Sequence, residues 1–469
     1  MLFNSLEFLL FLPVVIVLYY TLPHRFRWVM LLGASYFFYM SWKVEYALLI
    51  MFSTVVDFFA AQFIAASQAK LKRKLWLSAS LITNLGLLGV FKYYNFFSSE
   101  LESLLVEHNT ESLFPVLSLA LPVGISFYTF QTLSYTLDVY YGRQQPEKDI
   151  GVFALYVSFF PQLVAGPIER FSHLGKQLKQ HHFLDYKNIA QGGRLVLFGL
   201  FIKMSIADNL SDYVDQVYAS HADYHSLSIA TAAFFYSFQI YADFYGYSLI
   251  AVGAAKLLGI DIIDNFKSPY FASSITEFWK RWHISLTTWF REYLYLPLGG
   301  NRVRQNRWIF NILVVFVISG LWHGANWTFI IWGTIHGLVY LLERFLRSPG
   351  KKSEPVRPVW LFWLNRIKTF TIVTIAWVFF RAEDLAHAKD FLSSLINNYD
   401  VQDSFAVKPQ VWILLLLFIV MDYVLRNTRF DRWIDNKALG ARWSVYALML
   451  FGLMALGGVT NHPFIYFQF

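Results

Sequence analysis

The segment ILVVFVISGLWHGANWTFIIWGTIHGLVY, from Ile312 to Tyr340, carries the clearest architectural signal in the chain. Two apolar runs flank a tight centre. The first run, 309–321, would extend only about 20 Å as a helix, against roughly 30 Å for a membrane's hydrocarbon layer. Basic residues cluster outside both runs, at Arg302, Arg304, Arg307, Arg344 and Arg347. Because Lys and Arg concentrate in cytoplasmic loops, both ends are expected there. The pattern predicts a hairpin over 308–342 whose tip carries His323 within the membrane.

His323 is the first candidate for a functional residue. A titratable side chain inside a membrane is costly and by default marks a function. The alternative is a structural histidine that hydrogen-bonds a neighbouring carbonyl group. The neighbouring residues favour function, because glycines permit close approach of backbone or ligand and because Trp and Asn bring polar edges into an apolar stretch. These neighbours are Gly320, Trp322, Gly324, Asn326 and Trp327.

The composition indicates a membrane protein. Of the 469 residues, 56% are apolar, 19% are aromatic and 15% are charged, whereas soluble domains average about 25% charged residues. The long continuous apolar runs predict an all-α polytopic membrane protein rather than a β-barrel, which requires alternating segments of about 10 residues. The net charge of +8 lies in a few loops and does not indicate nucleic acid. The absence of cysteine excludes disulfides, cysteine-ligated metals and a cysteine thioester.

Apolar runs and loop charges predict the order of the remaining spans. Basic loops at 23–27, 70–74 and 426–443 are expected in the cytoplasm, and the acidic stretches at 98–113 and at the start of 204–255 are expected outside. This alternation places both termini on the outer side and keeps the first apolar run as a span. The candidate spans are about 6–22, 28–41, 46–67, 76–97, 115–140, 192–207, 228–257, 369–380, 410–425 and 444–459.

Two segments do not fit a plain series of spans. The run 150–168 is interrupted by Pro161, Gly166 and Pro167, and basic residues follow it. A re-entrant or broken segment fits both facts, and a full span with a basic outer loop is the alternative. The largest basic insertion, 261–307, is expected at the cytoplasmic interface, where its part 274–300 resembles amphipathic helices.

Six stretches together carry a resemblance to the membrane-bound O-acyltransferases, and within them to the bacterial branch that O-acetylates alginate, cellulose or peptidoglycan. The similarity covers nearly the whole chain. The stretches are FYTFQTLSYTLDVYYGR from Phe127, FFPQLVAGPIER from Phe159, FQIYADFYGYS from Phe238, FWKRWHISLTTWFREYLYLPLGGNR from Phe278, GLWHGANW from Gly320 and WVFFRAEDLAHA from Trp377.

The resemblance implies a single membrane domain over 1–469, with a helical funnel, re-entrant segments and interfacial helices around a tunnel. It implies acetyl transfer from cytoplasmic acetyl-CoA, without a metal, across the bacterial inner membrane to an exported polysaccharide. The expected partners are a periplasmic SGNH-hydrolase-like acetyltransferase or a polysaccharide secretion complex, besides membrane lipids. The family's catalytic histidine falls on His323, and a second important histidine of bacterial relatives falls on His283.

Acetyl transfer to a hydroxyl group needs a base, and an imidazole with an ordinary pKa of about 6.5 suits that task. We expect His323 to be the general base, with Asn326 and Trp327 orienting the donor beside it. His283 is expected in a catalytic or tunnel-lining role, with interfacial packing as the alternative. His336, in the returning helix, is expected to be structural.

Basic residues of the insertion are candidates for the phosphates of CoA, namely Arg281, Arg291 and Arg304, together with Lys280 and Arg302. Anchoring to anionic lipid is the alternative. The C-terminal stretch NHPFIYFQF resembles the tyrosine motif of the small membrane peptide of D-alanylation systems. Tyr466 is therefore a candidate acetyl relay, and an aromatic-belt anchor is the alternative.

Other function classes remain open from the sequence. Buried His residues, Asp243 and broken segments also suit a proton-coupled transporter or flippase, although the lack of a visible internal repeat disfavours an inverted-repeat carrier. Within the enzyme class, D-alanyl transfer is the alternative. A scaffold for a polysaccharide synthase would not need His323. The sequence does not identify the final acceptor.

Overall fold

The computed structural model describes residues 1–106, 114–164, 166–346, 358–403, 405–457 and 463–467. Arg347, residues 107–113 of the predicted acidic loop and part of the C-terminal stretch lie outside these ranges. All regular structure in the described chain is helical. The helices are α1 (Leu6–Thr21), α2 (His24–Met40), α3 (Glu45–Ala66), α4 (Lys70–Leu88), α5 (Tyr94–Val106), α6 (Ile125–Tyr140), α7 (Ile150–Ser158), α8 (Phe160–Leu163), α9 (Phe171–Leu178), α10 (Tyr186–Leu200), α11 (Asp208–Ala219), α12 (Ser226–Leu257), α13 (Ile275–Phe278), α14 (Ile284–Phe290), α15 (Gln305–His323), α16 (Trp327–Leu346), α17 (Val359–Arg381), α18 (Leu385–Asn397), α19 (Pro409–Leu425), α20 (Phe430–Asp435) and α21 (Leu439–Leu456).

The predicted polytopic all-α membrane protein is confirmed. Six helices of the described residues are long and apolar enough to cross a membrane, and α1 and α19 are shorter apolar helices. The six are Glu45–Ala66, Lys70–Ser103, Tyr186–Ala219, Gln305–His323, Trp327–Leu346 and Leu439–Leu456. Two of them, the second and third, run through a π-helical turn, at Gly89–Tyr93 and at Phe201–Ala207.

Three predicted boundaries were wrong. The span predicted at 115–140 becomes helical only at Ile125, after Gly124 has adopted a left-handed backbone with φ 77°. The outer loop predicted from residue 204 is instead helix up to Ala219, because its apolar residues recur at helical spacing and are buried, at Leu210, Tyr213, Val214, Val217 and Tyr218. The helix before His323 is also longer than predicted. It begins at Gln305 and reaches about 28 Å, since polar residues extend it beyond the apolar run.

The chain forms two compact units. The first consists of Phe3–Ile189 with Ala254–Ile263, and the second consists mainly of Ala190–Gly253 and Asp264–Phe469.

In the first unit, the run 150–168 is a broken helix, as predicted. α7 ends at Ser158 and a short helix follows from Phe160. Glu169, in the GPIER part of the stretch, is buried and accepts a hydrogen bond from the amide of Ile263 at 2.7 Å and pairs with His173 at 2.7 Å. Glu169 therefore links the segment that follows α8 to the segment that follows α12. The re-entrant path of the segment remains a prediction.

In the second unit, the stretch 274–300 folds into short helical turns. Ile275, Phe278 and Trp282 are each at most 1% exposed, so these residues belong to the core of the unit. Lys280 and Arg291 remain at the surface. The location of the insertion at the membrane interface remains a prediction.

Glycines allow α15 and α16 of the hairpin to pack closely against each other. A Cβ atom on Gly320 would lie 2.1 Å from the carbonyl oxygen of Phe329, and one on Gly333 would lie 2.2 Å from that of Phe316. The two helices consequently approach at backbone contact, as small residues allow in membrane proteins. This close packing sets the position of the last residue of α15, which is His323.

A second glycine seam joins α10 to α12 within this unit. A Cβ on Gly199 would meet the carbonyl oxygen of Gly246 at 2.6 Å, and a Cβ on Gly246 would meet the amide of Lys203 at 3.1 Å. The close approach brings the residues just after α10 against the middle of α12.

Candidate active site

His323 lies at the tip of the hairpin and is 3% exposed. The helix ends there because Gly324 is extended, with φ −158°. Asn326 then caps the returning helix: its side-chain oxygen accepts from the amide of Thr328 at 3.0 Å, and its amide nitrogen donates to the carbonyl oxygen of Glu383 at 2.6 Å. The tight centre of the motif thus turns the chain and holds the histidine at the turn.

Aromatic rings enclose the His323 imidazole. The ring centroids of Trp332, Phe380 and Tyr466 lie 5.1, 5.4 and 5.6 Å from its own. Trp377 stacks behind Trp332 at 5.5 Å. These rings form an apolar, low-dielectric chamber, where a neutral base and a hydroxyl group interact more strongly than in water.

His283 belongs to the same chamber. Its ring centroid lies 6.5 Å from that of His323 and 4.8 Å from that of Phe244. The residue has a left-handed backbone, with φ 43°, and it precedes the first turn of α14. Such a conformation is uncommon for a residue other than glycine and recurs at functional sites. Complete burial lowers the pKa of the His283 imidazole to about 3, so the ring is neutral at physiological pH.

The phenolic oxygen of Tyr466 is buried at the chamber, although the residue as a whole is partly exposed. It belongs to the helical turn Ile465–Phe467, and its ring packs on Phe244 at 4.5 Å and on Phe464 at 5.5 Å. The structure therefore brings together the three predicted catalytic residues, two imidazoles and one phenol, from sequence positions far apart.

The residues predicted to bind the donor are not gathered in this way. Asn326 has its capping partners, and Trp327 is 46% exposed. Arg281 pairs with Glu277 at 2.8 Å and donates to the carbonyl oxygen of Lys267. Arg304 is exposed ahead of α15.

Arg291 differs from these, because it lines a cavity of about 230 Å³ together with Lys280, Trp279 and Tyr295. Ser319, one helical turn before His323, belongs to the same lining.

His336 packs among aromatic rings, and its structural role remains a prediction. It is fully buried, and the rings of Trp279 and Trp332 both lie 5.1 Å from it. It supports the wall of the chamber from behind Trp332.

Sequence reasoning missed a buried charge cluster beside the chamber. Lys203 contacts both Asp208 and Asp243. Asp243 attracted notice as an acid in a span, but Asp208 was expected in a loop and Lys203 was overlooked. A lone Lys in the apolar run FIKMSIAD was the available signal.

Comparison with known proteins gives a consistent result. Residues 149–381 match the model of the membrane-bound O-acyltransferase family. The chain is 35% identical to a probable alginate O-acetylase of Azotobacter vinelandii, over 100% of both chains. It is 33% identical to a peptidoglycan O-acetyltransferase of Helicobacter pylori, over 100% of this chain and 98% of that one. It is 26% identical to a teichoic acid D-alanyltransferase of Streptococcus thermophilus, over 55% of this chain and 68% of that one.

Proposed function

Since the chain belongs to the membrane-bound O-acyltransferase family, and is thus a membrane acyltransferase, we propose that it moves acetyl groups from cytoplasmic acetyl-CoA to an exported polysaccharide or peptidoglycan. The observation that carries this proposal is the meeting of His323, His283 and Tyr466 in one buried chamber. The likeness to O-acetylating proteins over the full chain favours acetyl over D-alanyl transfer. The proposed location is the bacterial inner membrane, with both termini periplasmic.

His323 is proposed as the general base for a hydroxyl group. It accepts the proton of the Tyr466 phenol as the phenolic oxygen attacks the thioester carbonyl of the donor. The C–S bond then breaks, the proton passes to the departing thiolate, and an acetyl ester remains on Tyr466. Trp332 is a candidate for stabilising the oxyanion, because its indole N–H is buried without a hydrogen-bond partner among the described residues.

The cavity lined by Arg291 and Lys280 is proposed as the entrance for the donor. Two cations suit the phosphates of CoA, and the lining reaches Ser319, close to the base. Arg281, Arg304, Asn326 and Trp327 remain proposals with less structural support, since the first is paired and the second is exposed.

The acetyl group on Tyr466 requires an acceptor outside. A second hydroxyl group attacks the ester and regenerates the phenol. We assign this step to a partner, either a periplasmic SGNH-hydrolase-like acetyltransferase or a polysaccharide secretion complex. The relatives named for O-acetylation of alginate and peptidoglycan fit such an assembly.

Mass spectrometry of the purified protein after incubation with isotopically labelled acetyl-CoA tests the chemistry. We expect one labelled acetyl group on the C-terminal peptide of the wild type, none in Tyr466→Phe, and a decrease of about 100-fold or more in His323→Ala, as expected for loss of a general base. Tyr399→Phe is the matched control, because Tyr399 is 68% exposed.

Undiminished acetylation of His323→Ala would refute the assignment of the base. Full transfer to an added acceptor by Tyr466→Phe would show that acetyl passes directly from CoA, without the relay.

A further inference from the structure

The buried charge cluster of the second unit consists of Lys203, Asp208 and Asp243. Core packing alone does not require charged groups at these positions. The ammonium group of Lys203 lies 2.6 Å from Asp208 and 2.8 Å from Asp243, and Lys203 is 1% exposed. Burying two carboxylates and a cation is expensive unless each is well paired, and replacing such groups by apolar ones is often neutral or stabilising. A cluster in an apolar stretch is therefore a candidate for a specific task.

The cluster holds the C-terminal segment 463–467. One carboxylate oxygen of Asp243 faces Lys203, and the other accepts a hydrogen bond from the backbone amide of Ile465 at 2.7 Å. One turn further along α12, the ring of Tyr247 stacks on Phe464 at 4.5 Å and lies 5.8 Å from the Lys203 ammonium group. A charge-assisted backbone bond and a ring stack thus act on adjacent residues of the segment.

The same turn of α12 also contacts the chamber. Phe244, next to Asp243, packs on both Tyr466 and His283. Asp243 fixes the amide of Ile465, and the following residue places its phenol 5.6 Å from the His323 ring. The register of the segment therefore determines which side chain faces the base, because a slip of one residue would bring Ile465 or Phe467 there.

We infer that Lys203, Asp208 and Asp243 form a docking site for the backbone of the C-terminal segment, and that Asp243 is the positioning residue that keeps Tyr466 in register with His323. Lys203 keeps Asp243 paired, which strengthens its bond to the amide. Asp208 completes the coordination of Lys203. The docking stands on contacts alone, whereas its purpose, the loading of Tyr466, rests on the proposed function.

Cysteine accessibility tests the docking directly, because the natural chain contains no cysteine. Ile465 is 4% exposed, so the single variant Ile465→Cys should react slowly with a maleimide in lipid nanodiscs. Adding Asp243→Asn should raise the labelling rate at least about tenfold. Asp422→Asn is the matched control, since Asp422 is also buried and accepts a hydrogen bond from Tyr241 in the same unit. It should change the rate less than about twofold.

A second variant guards against misfolding caused by a disturbed charge balance, since Lys203 keeps only Asp208 as its partner in Asp243→Asn. The triple change Lys203→Met, Asp208→Asn and Asp243→Asn removes the cation and both anions together, and it should also accelerate labelling at least about tenfold. Labelling of Asp243→Asn and of the triple variant at the parental rate would overturn the docking site. Rapid labelling of the parent itself would do the same.

Acetylation of the C-terminal peptide separates this inference from the proposed function. If labelling accelerates in Asp243→Asn and acetylation of Tyr466 falls, both stand. If labelling accelerates while delivery of acetyl to an acceptor is unchanged, the docking site stands and the relay role of Tyr466 falls.

Discussion

Among single residues, His283 combines two unusual features, a left-handed backbone and complete burial. A residue held in this way is maintained by its surroundings at a cost in stability. Its proximity to His323 and to Phe244 makes it part of the chamber wall even if it never exchanges a proton. A neutral imidazole there preserves the low dielectric on which the proposed base depends.

The buried His283 predicts a pH-dependent stability. The pKa is near 3 in the fold and about 6.5 in an unfolded chain, so the unfolded state binds the extra proton. Stability is therefore lost as the pH falls below about 6.5, by up to about 1.4 kcal/mol per pH unit. His283→Asn removes the titration while tolerating the left-handed backbone. Its unfolding temperature in detergent should depend less on pH between 7 and 4.5 than that of the wild type.

Equal pH dependence in the two proteins would contradict this assignment. Measuring His173→Asn in parallel provides a comparison of opposite sign. The Glu169 carboxylate raises the pKa of that histidine, so its pairing is stabilising at low pH and is lost as the pH rises.

The sequence was informative about residues wherever a motif identified them. His323 and Tyr466 came from motifs, and the structure brings their rings within 5.6 Å of each other. Lys203 could not be predicted in the same way, because its partner Asp243 lies on another helix. The close approach of Gly199 and Gly246, which the sequence does not reveal, brings the two helices together. Burial of the Tyr466 hydroxyl oxygen also depended on tertiary packing, since an aromatic residue near a terminus equally suits a membrane interface.

Among helices, the hairpin of α15 and α16 shows which features the apolar pattern of the sequence predicts and which it does not. The pairing of α15 and α16 follows from two apolar runs around a glycine-rich turn. The length of α15 does not follow from the apolar pattern. Its first turn contains the polar residues Gln305, Asn306 and Arg307, so a count of apolar residues alone gives too short a helix. In the insertion 261–307, mixed aromatic and basic residues suit an interface as well as a core, so the burial of Phe278 and Trp282 could not be predicted from the pattern.

Backbone contact in the hairpin predicts strong sensitivity at Gly320. Gly320→Ala places a Cβ atom 2.1 Å from the carbonyl oxygen of Phe329, so the helices must separate, at a cost of about 1–3 kcal/mol or more. Gly86→Ala is the control, because no atom lies within 4 Å of a Cβ there, and a helical Gly→Ala change in open space stabilises by about 0.5–1 kcal/mol. The unfolding temperature in detergent should be highest for Gly86→Ala, intermediate for the wild type and lowest for Gly320→Ala.

A Gly320→Ala protein as stable as the wild type would show that the hairpin does not depend on this contact. Acetyl transfer by the same variant should fall as well, since His323 is three residues further along α15.

For the protein as a whole, composition and apolar runs were sufficient to predict a polytopic helical membrane protein. The division into two compact units was not predictable, because it depends on which helices pack together rather than on how apolar they are. The side of the membrane on which each loop lies stays a prediction from charge. The proposed direction of acetyl transfer rests on that sidedness, and its proposed chemistry rests on His323.

Sealed inverted vesicles, with the cytoplasmic face outward, allow the direction of transfer and its dependence on His323 to be measured in one experiment. Radiolabelled acetyl-CoA is added outside, and label is sought on the C-terminal peptide and on an acceptor enclosed in the lumen. We predict lumenal label with the wild type and about 100-fold less with His323→Ala. Equal labelling by the two proteins, or label confined to the outside of wild-type vesicles, would contradict a transfer of acetyl across the membrane that depends on His323.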